Sequence, residues 1–362
     1  MKTKKIFFSF LVTAASAMFL TSCDPTSGEQ ANPLISTGVF VLNQGSYKNN
    51  NASLTYYDLI ASTVTTDIFT AKNNRGLGDT GQDILKYGSK IYIAVSQSSL
   101  IEIIDAVTGV STKSIPMLNA SNQPSQPRSL ASYNGKVYVT LFDGHVAQLD
   151  TTTLTIQKTI AVGSNPEGIV AANNKLYVAN SGGMGLVSDS TISVIDPSSF
   201  SVLRTIKVVI NPVVIKADSY GNVYVISNGN YANIPYTLQR IQAATTEQVS
   251  IIAGTKPLNM NIDGDNLYLY SYDLDANWNP TNKSYTIYNV KTNTLSKANF
   301  IASTAITNTP FSIDINPATK DIYIGETDYS NTGKMNVFGA DGTFKFSFQT
   351  GVNPCKTIFI TK

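Results

Sequence analysis

The sequence predicts an all-β fold, a seven-bladed β-propeller of four-stranded antiparallel blades whose ring is closed by the C-terminal strand joining the first blade. Three observations carry this expectation. An apolar–Tyr–apolar strand recurs six times, with Tyr92, Tyr138, Tyr177, Tyr224, Tyr268 and Tyr323 spaced 46, 39, 47, 44 and 55 residues apart. A short apolar run precedes each copy and two further strand-like runs follow it. The two chain ends hold complementary fragments of a seventh copy. Four strands in about 40–50 residues is the period of a propeller blade, and a fixed period of that size signals repeat architecture.

In chain order, residues 38–42, 53–58 and 64–69 read as three strands that lack an innermost partner. Six complete copies follow. Their inner strands open near Ile84 and at Pro127, Pro166, Pro212, Pro257 and Pro310, each leading through a turn into the Tyr strand. Third and fourth strands are clearest at 145–150 with 155–160, and at 191–196 with 202–208. Alternating apolar residues, β-branched enrichment and Asn-Gly or Asp-Gly turns are the marks of antiparallel strands. Asp105, Asp150 and Asp196 end third strands, where an Asp side chain caps the following turn. Residues 353–360 read as an innermost strand without followers, so the last strand completes the first blade. Ring closure removes the sheet edges that invite aggregation. Cys355 in that strand reads as a buried free thiol.

The amino terminus predicts the location. Lys2, Lys4 and Lys5 precede an apolar stretch, residues 6–19, that is too short to span a membrane. Leu20-Thr21-Ser22-Cys23 then resembles the lipobox of bacterial lipoproteins, which implies cleavage before Cys23 and lipidation of that residue. The expected organisation is a signal peptide (1–22), a lipidated Cys with a flexible tether (23–36) and one propeller domain (37–362). Acyl chains anchor a domain to a membrane without a spanning segment. An acidic residue directly after the lipidated Cys, here Asp24, resembles surface-exported lipoproteins of Gram-negative bacteria and implies an outer-membrane, cell-surface protein.

Composition narrows the partners. Removing the three signal lysines leaves 23 basic residues against 24 acidic, a balance of −1, so there is no basic footprint for nucleic acid. With charged residues at 14%, contacts fall to the abundant Asn, Ser, Thr and Tyr. Catalytic chemistry is scarce. His145 is the one histidine and sits in a tight turn beside Asp143, with no placed nucleophile. Asp273, Asp275 and Asn277 have the alternate spacing of a calcium loop, but Trp278 stands where that loop needs Gly and Ser284 where it needs Glu. No metal, cofactor or catalytic residue is expected.

The repeat, clearest at residues 165–208, resembles the YncE-like, surface-layer-type seven-bladed propellers, over nearly the whole mature chain. The first blade is similar to propeller lipoproteins of Bacteroidetes at residues 40–47, 51–58 and 75–82, which contain Gln44, Tyr47 and Arg75. Some of those relatives capture cobalamin for a TonB-dependent transporter, so the resemblance implies corrinoid binding and such a partner. Strand order independently selects one face. Loops after second strands share a face with loops entering inner strands, and they are long at 43–52, 180–190, 227–236, 271–284 and 326–334. Function concentrates on long loops held by a rigid scaffold. These loops offer Tyr47, Asn180, Tyr231, Tyr236, Tyr272, Trp278 and Tyr329. The leading expectation is a non-catalytic, lipid-anchored protein that captures a corrinoid or similar nutrient, with Gln44 and Arg75 added to the loop residues. The alternatives are a protein- or glycan-binding scaffold of the cell envelope, and a channel-centred lactonase-like hydrolase.

Overall fold

The computed structural model describes residues 34–183, 188–302 and 304–362. The expected signal segment, Cys23 and the tether as far as residue 33 lie outside them. The described chain forms seven four-stranded antiparallel sheets. Their innermost strands are Gly81–Tyr87, Pro127–Tyr133, Pro166–Ala172, Pro212–Ala217, Asn259–Asp263, Thr309–Ile315 and Pro354–Thr361. Each inner strand packs against the next, and the last packs against the first, so the seven line a central channel. Blades are numbered here from the one that holds the amino-terminal strand.

Blade 1 is completed from both chain ends. Strand Pro354–Thr361 pairs antiparallel with Ser36–Asn43, which continues into Ser53–Asp58 and Thr63–Thr65. Ile35 and Lys362 exchange two backbone hydrogen bonds of 3.2 and 2.9 Å at the seam. Backbone pairing at the seam therefore reaches back to Ile35, inside the segment that the sequence reading takes as tether.

The recurrent tyrosine explains why the blades form a ring. Tyr92, Tyr138, Tyr177, Tyr224, Tyr268 and Tyr323 are all buried, and each joins a hydrophobic cluster shared between its own blade and the following one. Tyr177 packs with Ile215, Val223 and Val225 of blade 5, and Tyr323 packs with Val39 and Val41 of blade 1. In blade 1 Phe40 takes the same place, against Ile84 and Ile91 of blade 2. One large ring per blade thus seals each interface, and burying such a side chain contributes about 1.5–3 kcal/mol. The Asp residues at third-strand ends act as caps: Asp105 accepts from the Val107 and Thr108 N–H groups, Asp150 from Thr152 and Thr153, and Asp196 from Ser198.

Two sequence expectations are corrected. Residues 64–69 do not form one strand: pairing stops at Thr65, and a six-residue helix, Ile68–Asn73, follows. Asp67 caps that helix by accepting from the Thr70 N–H, while Phe69 is driven into the space between blades 1 and 2. Residues 271–284 are not a loop but the end of a long hairpin, Asn266–Leu274 with Pro280–Asn289, which a register shift between Ser271 and Asp273 carries past the rest of its sheet. Five residues turn it, with the Asp275 carboxylate accepting from the Asn277 and Asn279 N–H groups at 2.8 Å each.

Candidate functional site

The inner strands all begin on one end of the ring, where they meet the loops that leave the second strands. Backbone bonds tie the two sets together: Gln44 N–H donates to Asn353 O, Ser96 to Thr80 O, Phe142 to Gln126 O, Ser181 to Asn165 O and Asn228 to Asn211 O. At this end the channel opens as a funnel of about 520 Å³. Its wall is built from the first residues of the inner strands, including Gln82, Arg128, Glu167, Val213, Asn259, Phe311 and Cys355.

One half of the mouth is polar. Arg128 donates to both Glu167 oxygens at 2.8 and 2.9 Å and to Gln82 Oε1 at 3.0 Å, with its guanidinium 5.2 Å from the centre of the Phe142 ring. Gln44 Nε2 donates to the same Gln82 oxygen at 3.3 Å. Gln44, Gln82, Arg128 and the exposed Tyr47 also line a side cleft of about 240 Å³.

The other half is aromatic. Tyr231 and Tyr236 meet edge to face at 6.2 Å, Tyr270 and Tyr272 stack at 6.5 Å, and Phe311 meets Tyr329 edge to face at 5.8 Å. Burial pushes the Tyr236 and Tyr272 hydroxyls above the usual phenol range, with the Tyr329 ring beside both as a further cause. The three pairs stand on the neighbouring blades 5, 6 and 7, and Phe311 joins the third to the funnel wall. Asn211 and Asn228 amides donate to the Tyr231 hydroxyl at 3.3 and 3.2 Å. Tyr231, Trp278 and Tyr329 adopt left-handed backbone conformations, with φ of 55°, 65° and 66°. A bulky residue there is strained, and such strain clusters at binding sites.

Of the nine residues singled out by sequence, four converge in this patch: Tyr231, Tyr236, Tyr272 and Tyr329. Gln44 and Tyr47 stand across the mouth. Three are placed elsewhere. Arg75 pairs with the buried Glu102 at 2.8 Å and covers the Phe69 ring, on the outer part of blade 2. Asn180 is fully buried, donating to Thr191 and Ser193 hydroxyls at 2.9 Å as Asn43 does to Ser53 and Thr55. A side chain at Gly163 would collide with it. Trp278 is 80% exposed at the hairpin tip and pairs with no other ring among the described residues. Asp273 accepts from Asn282, and no group of three metal-ligating side chains occurs among the described residues. His145 Nδ1 lies 3.0 Å from Asp143.

No sequence motif marks the channel wall. Asp83, Lys216, Asp314 and Lys356 face it from four different inner strands. The usable signal is substitution within the repeat. Opposite the signature aromatics stand Leu85, Ala131, Val170, Lys216, Asn261, Asp314 and Ile358, so charges interrupt an apolar column at Lys216 and Asp314. Asp83 pairs with Lys356 and also accepts from Leu130 N–H at 2.7 Å. Cys355 is half-buried on the funnel wall, rather than sealed inside a blade, and burial pushes its thiol well above the ordinary value.

Residues 37–349 match the family described as "Domain of unknown function (DUF5074)". No protein of curated function matches the sequence. Among solved structures, the chain is similar to Kuenenia stuttgartiensis hydrazine synthase, with a TM-score of 0.59 and 18% identity over 76% of this chain and 88% of that one. It is also similar to the WD40 repeats of RRP9 (TM-score 0.56, 11% identity, 75% and 81% covered) and to the computationally designed Ika8 protein (0.54, 10%, 85% and 87%). At these identities the likeness shows the fold alone.

Proposed function

The chain belongs to the DUF5074 family, and from that premise we propose that it is a non-catalytic ligand-capture propeller, lipid-anchored through Cys23 at the outer membrane and facing outward. The observation that carries this reading is the convergence of Tyr231, Tyr236, Tyr272 and Tyr329 beside the funnel mouth, with Gln44, Gln82 and Arg128 opposite. Broad aromatic area with a few fixed polar groups is the usual make-up of a small-molecule site. Rings held by packing and by Asn211 and Asn228 lose little freedom on binding, which favours affinity. Two of the four tyrosines, Tyr231 and Tyr329, sit on left-handed backbone, as expected where loop shape serves a ligand.

The ligand class that fits is a large, flat, nearly neutral macrocycle fringed with amides, such as cobalamin or another corrinoid. Its ring would lie over the tyrosines while its amides bond to Gln and Asn side chains. The first-blade resemblance supports the same class. The hairpin tip carrying Trp278 and Leu274, 80% and 48% exposed, would then be the contact for a TonB-dependent transporter. Calorimetry of the mature protein with cyanocobalamin and adenosylcobalamin tests the reading. Saturable heat and a raised melting temperature are expected, since a ligand at a hundred times its Kd adds about 2.7 kcal/mol. Neither heat nor a melting shift with either compound sinks it.

A further inference from the structure

Six charged side chains line the funnel: Asp83, Arg128, Glu167, Lys216, Asp314 and Lys356. Contacts account for five of them. Arg128 is bidentate with Glu167, Lys356 pairs with Asp83, and Asp314 accepts from Asn261 Nδ2 at 2.8 Å and Thr357 N–H at 2.7 Å. The Lys216 ammonium alone makes no hydrogen bond or ion pair with any of the described residues.

Its position makes that informative. Lys216, Asn261, Asp314 and Lys356 line both the funnel and a second cavity of about 430 Å³ toward the opposite end of the ring, so they form the waist of the channel. Lys216 lies four residues down its strand from Pro212, about 13 Å at roughly 3.3 Å per residue. Lys216 is half-buried and faces the channel space, so its ammonium is left to channel solvent rather than to a protein partner, and a charge with reduced hydration favours a counter-ion. Every other blade places an apolar residue, an amide or a bonded carboxylate opposite its signature aromatic, so the scaffold itself has no need of a cation there.

We propose that the waist is an anion subsite, in which the Lys216 ammonium receives one carboxylate or phosphate group reaching down the funnel from a ligand seated at the mouth. The reading of the mouth supplies the arm; the affinity of the waist for a small anion stands on Lys216 alone. The groups facing the subsite set its selectivity. Lys356 adds positive potential but is already paired with Asp83, and Asp314 places a carboxyl nearby. A singly charged group is therefore favoured over a doubly charged one. Burial lowers the Lys216 pKa, with Lys356 as the next cause, and a bound anion would reverse that shift.

The test uses the mature protein, titrated with sodium acetate and with inorganic phosphate against sodium chloride of matched ionic strength, followed by calorimetry and melting temperature. Saturable binding of at least one anion is expected, and which one binds identifies the arm. Lys216→Met should weaken it at least tenfold and raise the melting temperature of the anion-free protein; Lys216→Gln gives the same reading should the Met variant fail to fold. Lys216→Arg should retain binding, and Val107→Ala, at an exposed turn away from the channel, should leave it unchanged. No saturable binding of either anion, or equal binding by wild type and the Lys216→Met and Lys216→Gln variants, overturns the subsite. The two readings fail separately. Loss of anion binding in Lys216→Met upholds the subsite even if cyanocobalamin does not bind, and cobalamin binding with no anion response removes the subsite alone.

Discussion

Phe311, on the wall of the funnel, meets Tyr329, on the loop face, edge to face with ring centres 5.8 Å apart. Phe311 belongs to the inner strand Thr309–Ile315, whereas Tyr329 follows the second strand of the same blade. The contact joins the scaffold to the aromatic patch. It holds the strained Tyr329 backbone in a fixed relation to the channel.

Tyr329→Ala is expected to weaken corrinoid binding about tenfold or more, which is about 1.4 kcal/mol and within the range of one aromatic contact plus its buried area. Tyr329 is 49% exposed, so the melting temperature should move little. Calorimetry with cyanocobalamin measures the first quantity and a thermal scan the second. An unchanged affinity would remove Tyr329 from the site.

The same substitution at two tyrosines separates scaffold from site. Tyr177 is fully buried between blades 4 and 5, so Tyr177→Ala should cost about 3–5 kcal/mol in denaturant unfolding. Tyr231 is 64% exposed, and Tyr231→Ala should stay within about 0.5 kcal/mol while reducing ligand affinity. Reversed effects would mean that the aromatic patch is packing rather than a binding surface.

Asp83→Asn leaves Lys356 without its counter-charge beside Lys216. The expected loss is about 3 kcal/mol, at the low end for breaking a buried pair because Lys356 is 28% exposed. Adding Lys356→Met should recover much of it, a coupling that a double-mutant cycle in urea would quantify. Strictly additive losses would show that the pair is not coupled.

Acid should loosen the outer turns first. Hydrogen bonds from neighbouring backbone N–H groups and hydroxyls hold the Asp105, Asp196 and Asp341 carboxyls below their ordinary value of 3.8. The Asn331 side chain and backbone hold Asp328 down to about 2. A folded pKa below the unfolded one contributes stability that is complete above the unfolded value and is lost as pH falls through the folded value. Urea midpoints should therefore fall between about pH 4 and pH 2, and Asp196→Asn should flatten part of that slope. Burial raises the Asp314 pKa, so its contribution has the opposite sign and diminishes as pH rises.

Removing residues 354–362 deletes the strand paired with Ser36–Asn43 and exposes that edge together with Phe40 and Leu42. Size-exclusion chromatography should show aggregation in place of a monomer peak, because an unpaired, apolar inner edge templates association. A monodisperse truncated protein with unchanged melting temperature would contradict closure by the last strand.

The sequence by itself determined the scaffold. The signature aromatic, the Pro that opens most inner strands and the Asp that ends third strands each act locally or between adjacent blades, so spacing alone reveals them. Phe40 could be recognised as the seventh signature residue for the same reason. Tertiary structure decided the site. Tyr231, Tyr236, Tyr272 and Tyr329 come from three blades, and only closure of the ring sets those blades side by side. Asn180 looked like the start of the loop face, but its amide serves Thr191 and Ser193, a pairing set by strand register. Arg75 was diverted to Glu102 by the helix at Ile68–Asn73, which an alternating pattern at residues 64–69 had concealed. Lys216 is one residue in an otherwise ordinary strand. It becomes an unpaired cation at a channel waist because seven separate strands, closed into a ring, set it near Asp314 and Lys356, which bond to other partners among the described residues.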